Sequence, residues 1–104
     1  IEGAGGLMVP LNENFLMIDL IKKLDAEVIL VSKNYLGSIN HSLLSAETLR
    51  NRGININRIA FCGEQDKSSE DIILKYLGCG SIRIPHFNQL NRDTIREFGA
   101  ELEF

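Results

Sequence analysis

The sequence predicts an α/β fold, a parallel sheet with crossover helices, on three observations. Short aliphatic and β-branched runs alternate along the chain with helix-period patterns, the order that parallel strands joined by helices require. Turn-forming residues separate these runs. The chain has 104 residues, 44% hydrophobic and 24% charged, which is enough for one core and too little for two.

Ile1-Glu2 reads as the last step of a strand, followed by glycines and Leu7-Met8-Val9-Pro10. Residues 15–24 read as a helix: Phe15, Ile18 and Ile21, with Leu20 and Leu24 beside them, share one face, and Lys22 and Lys23 lie off it. Asn14 is its expected N-cap. Glu27-Val28-Ile29-Leu30-Val31-Ser32 is almost continuously aliphatic, the pattern of a central strand covered on both faces.

Lys33 to Gly37 form a loop, and Ser38 opens a helix carrying Leu43, Leu44, Thr48 and Leu49 to a stop at Arg52-Gly53. Asn57-Arg58-Ile59-Ala60-Phe61-Cys62 is the next strand. A polar loop from Gly63 to Ser68 precedes a helix over residues 69–77 that ends at Gly78. Ser81-Ile82-Arg83-Ile84 is the last strand. Pro85 ends it, having no N–H for a ladder, and Asn91 or Asn88 caps a terminal helix through Phe98.

Eleven Lys and Arg against fourteen Asp and Glu, net charge -3, leave no basic surplus for phosphate neutralisation, so no nucleic-acid partner is expected. The apolar runs fall far short of the roughly 20 residues that cross a bilayer, so no membrane role is expected either. Cys62 and Cys79 are too few for a disulfide framework and too far apart for a metal knuckle, which makes a reducing cytoplasm the expected location. The N-terminus has neither an initiating Met nor a signal peptide and reads as cut.

In such a sheet ligands bind outside the carboxyl ends of the strands, so the loops after Glu2, Ser32, Cys62 and Ile84 form the candidate rim. Glu2 precedes Gly3, Ala4, Gly5 and Gly6, a carboxylate followed by amides that few side chains obstruct. Those amides suit an anion, and the acid beside them suits Mg2+ bridging a phosphate. The alternative is a turn that merely needs glycine. The spacing is not the dinucleotide fingerprint. Gly37-Ser38-Ile39-Asn40-His41 opens a helix, whose free N–H groups would receive a carboxylate or phosphate; the plain alternative is an ordinary Ser38 cap.

His41 reads as a ligand or, more plainly, as a packed or solvent-facing histidine, and His86 as a rim residue touching a ligand or a plain surface-loop histidine; no second ligand at zinc spacing accompanies His41. Glu47, Glu64, Asp66, Glu70 and Asp71 read as solvated charges. No nucleophile or general base stands out.

Glu2-Gly3-Ala4-Gly5-Gly6-Leu7-Met8-Val9-Pro10-Leu11, Val28-Ile29-Leu30-Val31 and Asn34-Tyr35-Leu36-Gly37-Ser38-Ile39-Asn40-His41 together resemble the C-terminal half of the dethiobiotin synthetase family. The last ~40 residues match only in their order of strands and helices. The resemblance implies a P-loop NTPase-like fold, with residues 1–104 as the C-terminal half of one domain. It also implies a homodimer and an ATP- and Mg2+-dependent ring closure of 7,8-diaminononanoate with CO2.

Under that resemblance Glu2 matches the acid that holds Mg2+, and Gly3, Ala4, Gly5 and Gly6 match the anion-facing loop. Leu36, Gly37, Ser38, Ile39 and Asn40 match the segment that holds the diamine's carboxylate across the dimer. Cys62 stands where the family commonly has a base-reading Asn, and Pro85 and His86 match the loop beside the base. No catalytic residue is assigned in this half. The family's Walker A loop has no counterpart in the sequence and is expected upstream of Ile1, so this piece alone is not expected to turn over. The competing readings are a non-catalytic nucleotide-binding or dimerisation module and another P-loop amidoligase-like enzyme.

Overall fold

The structure is a computed structural model and describes residues 1–102. Its first regular element is a short hairpin that no periodicity signalled. Strand β1 (Pro10–Asn12) pairs antiparallel with β2 (Phe15–Leu16). Asn14 therefore does not cap a helix: it lies in the hairpin turn, where its amide donates to Asn12 Oδ1 at 2.9 Å. Helix α1 begins later, at Met17–Leu24, and the Leu16 amide at its mouth donates to Asp19 Oδ2 at 2.9 Å. Ile1 and Glu2 lie outside any strand and are exposed, against the expectation of a strand end there.

Three strands form the parallel sheet: β3 (Val28–Lys33), β4 (Ile56–Cys62) and β5 (Gly80–Ile84), in the order β3-β4-β5. Helix α2 (Ser38–Asn51) connects β3 to β4, and α3 (Lys67–Leu77) connects β4 to β5. Crossovers of this kind are what parallel neighbours need.

The run expected to form a central strand is β3. Among the described residues β3 pairs with β4 alone and stands at the edge. Its residues alternate, with Val28 and Ser32 buried while Ile29 and Val31 are 43% and 64% exposed. Strand β4 occupies the middle, and Ile59, Ala60 and Phe61 are buried in succession. Its polar start, Asn57-Arg58, masked that position in the sequence.

One core joins Ala46 of α2, Ile59 and Phe61 of β4, and Ile73 and Leu77 of α3. A second joins Ile18 of α1 to Val28, Leu49 and Ile54. Each such large side chain contributes about 1.5–3 kcal/mol through burial. Arg50 clamps the two helices by donating to the carbonyls of Tyr76 and Leu77 at 3.0 and 2.8 Å, groups that the end of α3 leaves without helical partners.

Helix α4 (Arg92–Glu101) starts at Asn91, whose Oδ1 accepts from the Thr94 amide at 2.9 Å, and runs beyond Phe98. It contributes no buried residue. Phe98 meets Phe87 edge to face, with ring centroids 5.3 Å apart.

Candidate functional site at the carboxyl ends of the strands

The three parallel strands finish together. Register pairs Lys33 with Cys62 and Cys62 with Ile84, so Asn34, Gly63 and Pro85 leave the sheet side by side. That alignment puts Cys62 next to the Pro85-His86 segment. Cys62 is half-buried, while Pro85 and His86 are exposed.

Beyond β3 the chain turns into α2 through Gly37, which has φ +102 and serves as N-cap without any side-chain cap bond. Ser38 does not cap the helix, contrary to the plain reading of its position. Its amide donates to the Tyr35 carbonyl at 3.0 Å, and its side chain is buried. The Ile39 and Asn40 amides of this first turn have no acceptor within the helix, so the positive end of α2 opens onto the rim. Leu36 is fully exposed, and the Tyr35 hydroxyl bonds His41 Nδ1.

A cleft of about 480 Å3 separates this turn from the next rim segment, with Leu36, Gly37 and Ile39 on one wall and Glu64, Gln65 and Asp66 on the other. The Asp66 carboxylate is engaged as the cap of α3. It accepts from the Ser69 hydroxyl at 2.7 Å, the Ser68 hydroxyl at 2.8 Å and the Ser69 amide at 3.2 Å, and these bonds hold it below the usual carboxylate range. Another cleft, of about 620 Å3, lies among Asp25, Glu27, Gly53 and Asn57 at the opposite ends of the strands, where this class of sheet does not bind ligands.

The glycine segment lies elsewhere. Gly5 and Gly6 share a cleft with Leu44, Ser45 and Thr48 of α2, and Gly3 shares another with residues 28–31 of β3. Gly5 has φ +83, and a Cβ there would come within 2.8 Å of the Val9 side chain. Glycine at this position is thus required by the turn itself. The Gly6 amide donates to the Ala4 carbonyl at 3.1 Å, so one amide of the segment is turned inward. Glu2 is exposed. Among the described residues no group of three or more His, Cys, Asp or Glu gathers as a metal cage.

One expectation fails outright. Glu70 is not a solvated charge: it is 7% exposed, and its Oε1 accepts from Arg83 Nη1 and Asn34 Nδ2, each at 2.5 Å. Glu47 is likewise engaged, accepting from the Tyr76 hydroxyl at 2.6 Å, a bond that raises the Tyr76 pKa. Arg83 was legible as unusual, a charge between Ile82 and Ile84 on a short strand. Its partner was not, because Glu70 is distant in sequence.

A parallel sheet whose strand ends align beneath an uncapped helix N-terminus is the ligand-binding arrangement of open α/β proteins, and the family match makes this one P-loop NTPase-like. The family model described as an AAA domain matches residues 1–97, and the chain belongs to that family. It is also similar to ATP-dependent dethiobiotin synthetases. Identity is 56% over 78 residues to the one from Cytophaga hutchinsonii, covering 75% of this chain and 38% of that protein. Against the enzyme from Rhodopseudomonas palustris strain BisB18 it is 48% over 101 residues, covering 92% and 46%. Against that from Christiangramia forsetii it is 47% over 108 residues, covering 97% and 49%. The chain thus spans about half the length, or less, of these curated relatives. No helix among the described residues is long and apolar enough to cross a membrane.

Proposed function

We propose that the chain is the C-terminal half of a single P-loop-type α/β domain in an ATP-dependent dethiobiotin synthetase, acting in biotin biosynthesis in the cytoplasm. The observation that carries this reading is the 48% identity to such an enzyme over 92% of the chain. In the proposed reaction one amine of 7,8-diaminononanoate adds to CO2, losing a proton, to give a carbamate. A carbamate oxygen attacks the γ-phosphorus of ATP and releases ADP, leaving a carbamic-phosphoric anhydride. The second amine then attacks the anhydride carbon, and phosphate leaves as the ring closes.

Such a reaction depends on positioning and on charge stabilisation rather than on a protein nucleophile, in keeping with a rim that presents amides and no evident base. The Ile39 and Asn40 amides at the mouth of α2, with Leu36, Gly37 and Ser38, would receive the diamine's carboxylate, a partner protomer of a homodimer supplying the reacting end. Cys62, Pro85 and His86 would flank the base of ATP. Glu2 is a lone exposed hard-oxygen donor, which fits Mg2+ because that ion takes one or two carboxylates and completes its shell with phosphate and water. When bound it would neutralise charge on the phosphates that Gly3, Ala4, Gly5 and Gly6 face.

The remaining partner in this reading is the P-loop half of the same domain, upstream of Ile1. Support comes from β3, whose outer edge has no described partner and whose Ile29 and Val31 are exposed. Open edges and apolar faces are normally covered in native proteins.

The test is turnover by the full-length protein supplied with ATP, bicarbonate and 7,8-diaminononanoate. Dethiobiotin, ADP and phosphate forming in equal amounts is the expected result; ATP consumption without a cyclised product would refute it. A non-catalytic binding or dimerisation module would bind nucleotide and show neither.

A further inference from the structure

We propose that Glu70 and Arg83 are positioning residues for the nucleotide end of the rim, holding the segment Gly63–Glu64–Gln65–Asp66 against the ends of all three strands with the help of Asn34. The inference rests on the nucleotide reading of that rim and adds to it how its geometry is set.

Three donors meet at one carboxylate oxygen. Glu70 Oε1 accepts from Arg83 Nη1 at the end of β5 and from Asn34 Nδ2 just beyond β3, each at 2.5 Å. It also receives the Asp66 amide at 3.3 Å, at the start of α3. Both side-chain donors use a second bond on the same loop. Arg83 Nη2 donates to the Gly63 carbonyl at 2.6 Å, and Asn34 Nδ2 donates to the Glu64 carbonyl at 2.8 Å. Asn34 Oδ1 is buried and has no partner among the described residues, so the amide is oriented by what its nitrogen reaches.

A buried ion pair is by itself weak evidence for stability, since desolvation offsets much of its attraction. Here the pair and Asn34 together do something that an apolar replacement could not: they fix two consecutive backbone carbonyls, Gly63 through Arg83 and Glu64 through Asn34. Gly63 follows Cys62 directly, with φ +83, and Cys62 is in register with Ile84 beside Pro85. A loop free to slide at Gly63 would move the residues that flank the base. Sub-ångström errors of placement are enough to weaken recognition in a preorganised site.

The experiment compares steady-state kinetics of full-length wild type with E70Q, R83K, their double variant and N34S, using D71N as a neighbouring exposed-acid control. E70Q keeps the shape and removes the charge, while R83K keeps the charge and removes the fork that spans Glu70 and Gly63. Each is expected to raise the KM for ATP by about fivefold to tenfold, with kcat within about twofold of wild type and a distinctly smaller rise in the KM for the diamine, since residues 64–66 also form one wall of the cleft at the mouth of α2. The double variant should be no worse than either single one, because the two act as a unit. N34S, at a half-buried position, should give a smaller rise in the same constant.

Unchanged KM for ATP with a lowered melting temperature would reduce the network to a structural one and overturn the proposal, as would equal rises in both KM values. If E70Q and R83K fail to fold, N34S decides on the same criterion. Should wild type itself not turn over, the functional reading falls separately. Amide exchange at residues 63–66 of N34S then decides the holding role: faster exchange than in wild type supports it, and equal exchange overturns it.

Discussion

Asp66 and Gly5 show how single residues set local structure here. Asp66 caps α3 as a carboxylate, and its pKa is lowered chiefly by the Ser69 and Ser68 hydroxyls. A folded-state value below the unfolded one means that the cap stabilises the protein above the ordinary aspartate range and loses that effect as pH falls through the lowered value. Asp66→Ala should therefore lower the melting temperature at neutral pH, and the difference from wild type should shrink below about pH 4, as read by thermal melts across pH. Gly5→Ala places a Cβ within 2.8 Å of Val9 at φ +83. Denaturant unfolding should show a loss of about 1–3 kcal/mol. The requirement at Gly5 was half legible: the glycine cluster announced a special turn, but it took the Val9 contact to say which glycine cannot change. Glu70 was misread altogether, because a charge on a helix looks solvated until the strand that carries Arg83 is laid beside it.

At the scale of elements, helix starts were the least legible feature. The period of residues 15–24 was read correctly for Ile18 and Ile21, yet Phe15 and Leu16 joined β2, since pairing with β1 satisfied backbone groups that a first helical turn leaves free. Helix α2 was placed from Ser38, but Gly37 does the capping and leaves its amides without a side-chain partner. That arrangement predicts a selective defect. Gly37→Val forces a β-branched residue to φ +102, and in the full-length protein the KM for the diamine should rise by about tenfold while that for ATP changes little. Equal loss of both would point to general unfolding. Helix α4 stands apart, with a good cap and no buried residue. Asn91→Ala should fray it, visible as faster amide exchange at residues 92–95, and leave the cooperative melt of the sheet nearly unchanged.

At the scale of the whole molecule, stability is concentrated where β4 is sandwiched and weakest where β3 is bare. Ile59, fully buried in the main core, should cost about 2–5 kcal/mol when cut to Ala. Val31 gives the sharper prediction. It is 64% exposed in this chain. If the P-loop half covers β3, Val31→Ser in the full-length protein should cost about 1–3 kcal/mol in denaturant unfolding, whereas a truly exposed site would move by less than about 0.5 kcal/mol.

The sequence by itself determined the alternation of strand and helix, the parallel class, most strand boundaries to within a residue or two, and the segments that form the rim. These follow from periodicity, from proline and glycine, and from local hydrogen-bonding habits, all properties of neighbours in the chain. Only the tertiary structure decided that β4 lies between β3 and β5, that Asp19 and Asp66 are tied up at helix starts, that the glycine segment and the mouth of α2 line different clefts, and that Glu70, Arg83 and Asn34 meet. The reason is physical: strand order and side-chain partnership depend on which distant segments lie side by side, and a buried charge is distinguished from a solvated one only by what packing brings to it.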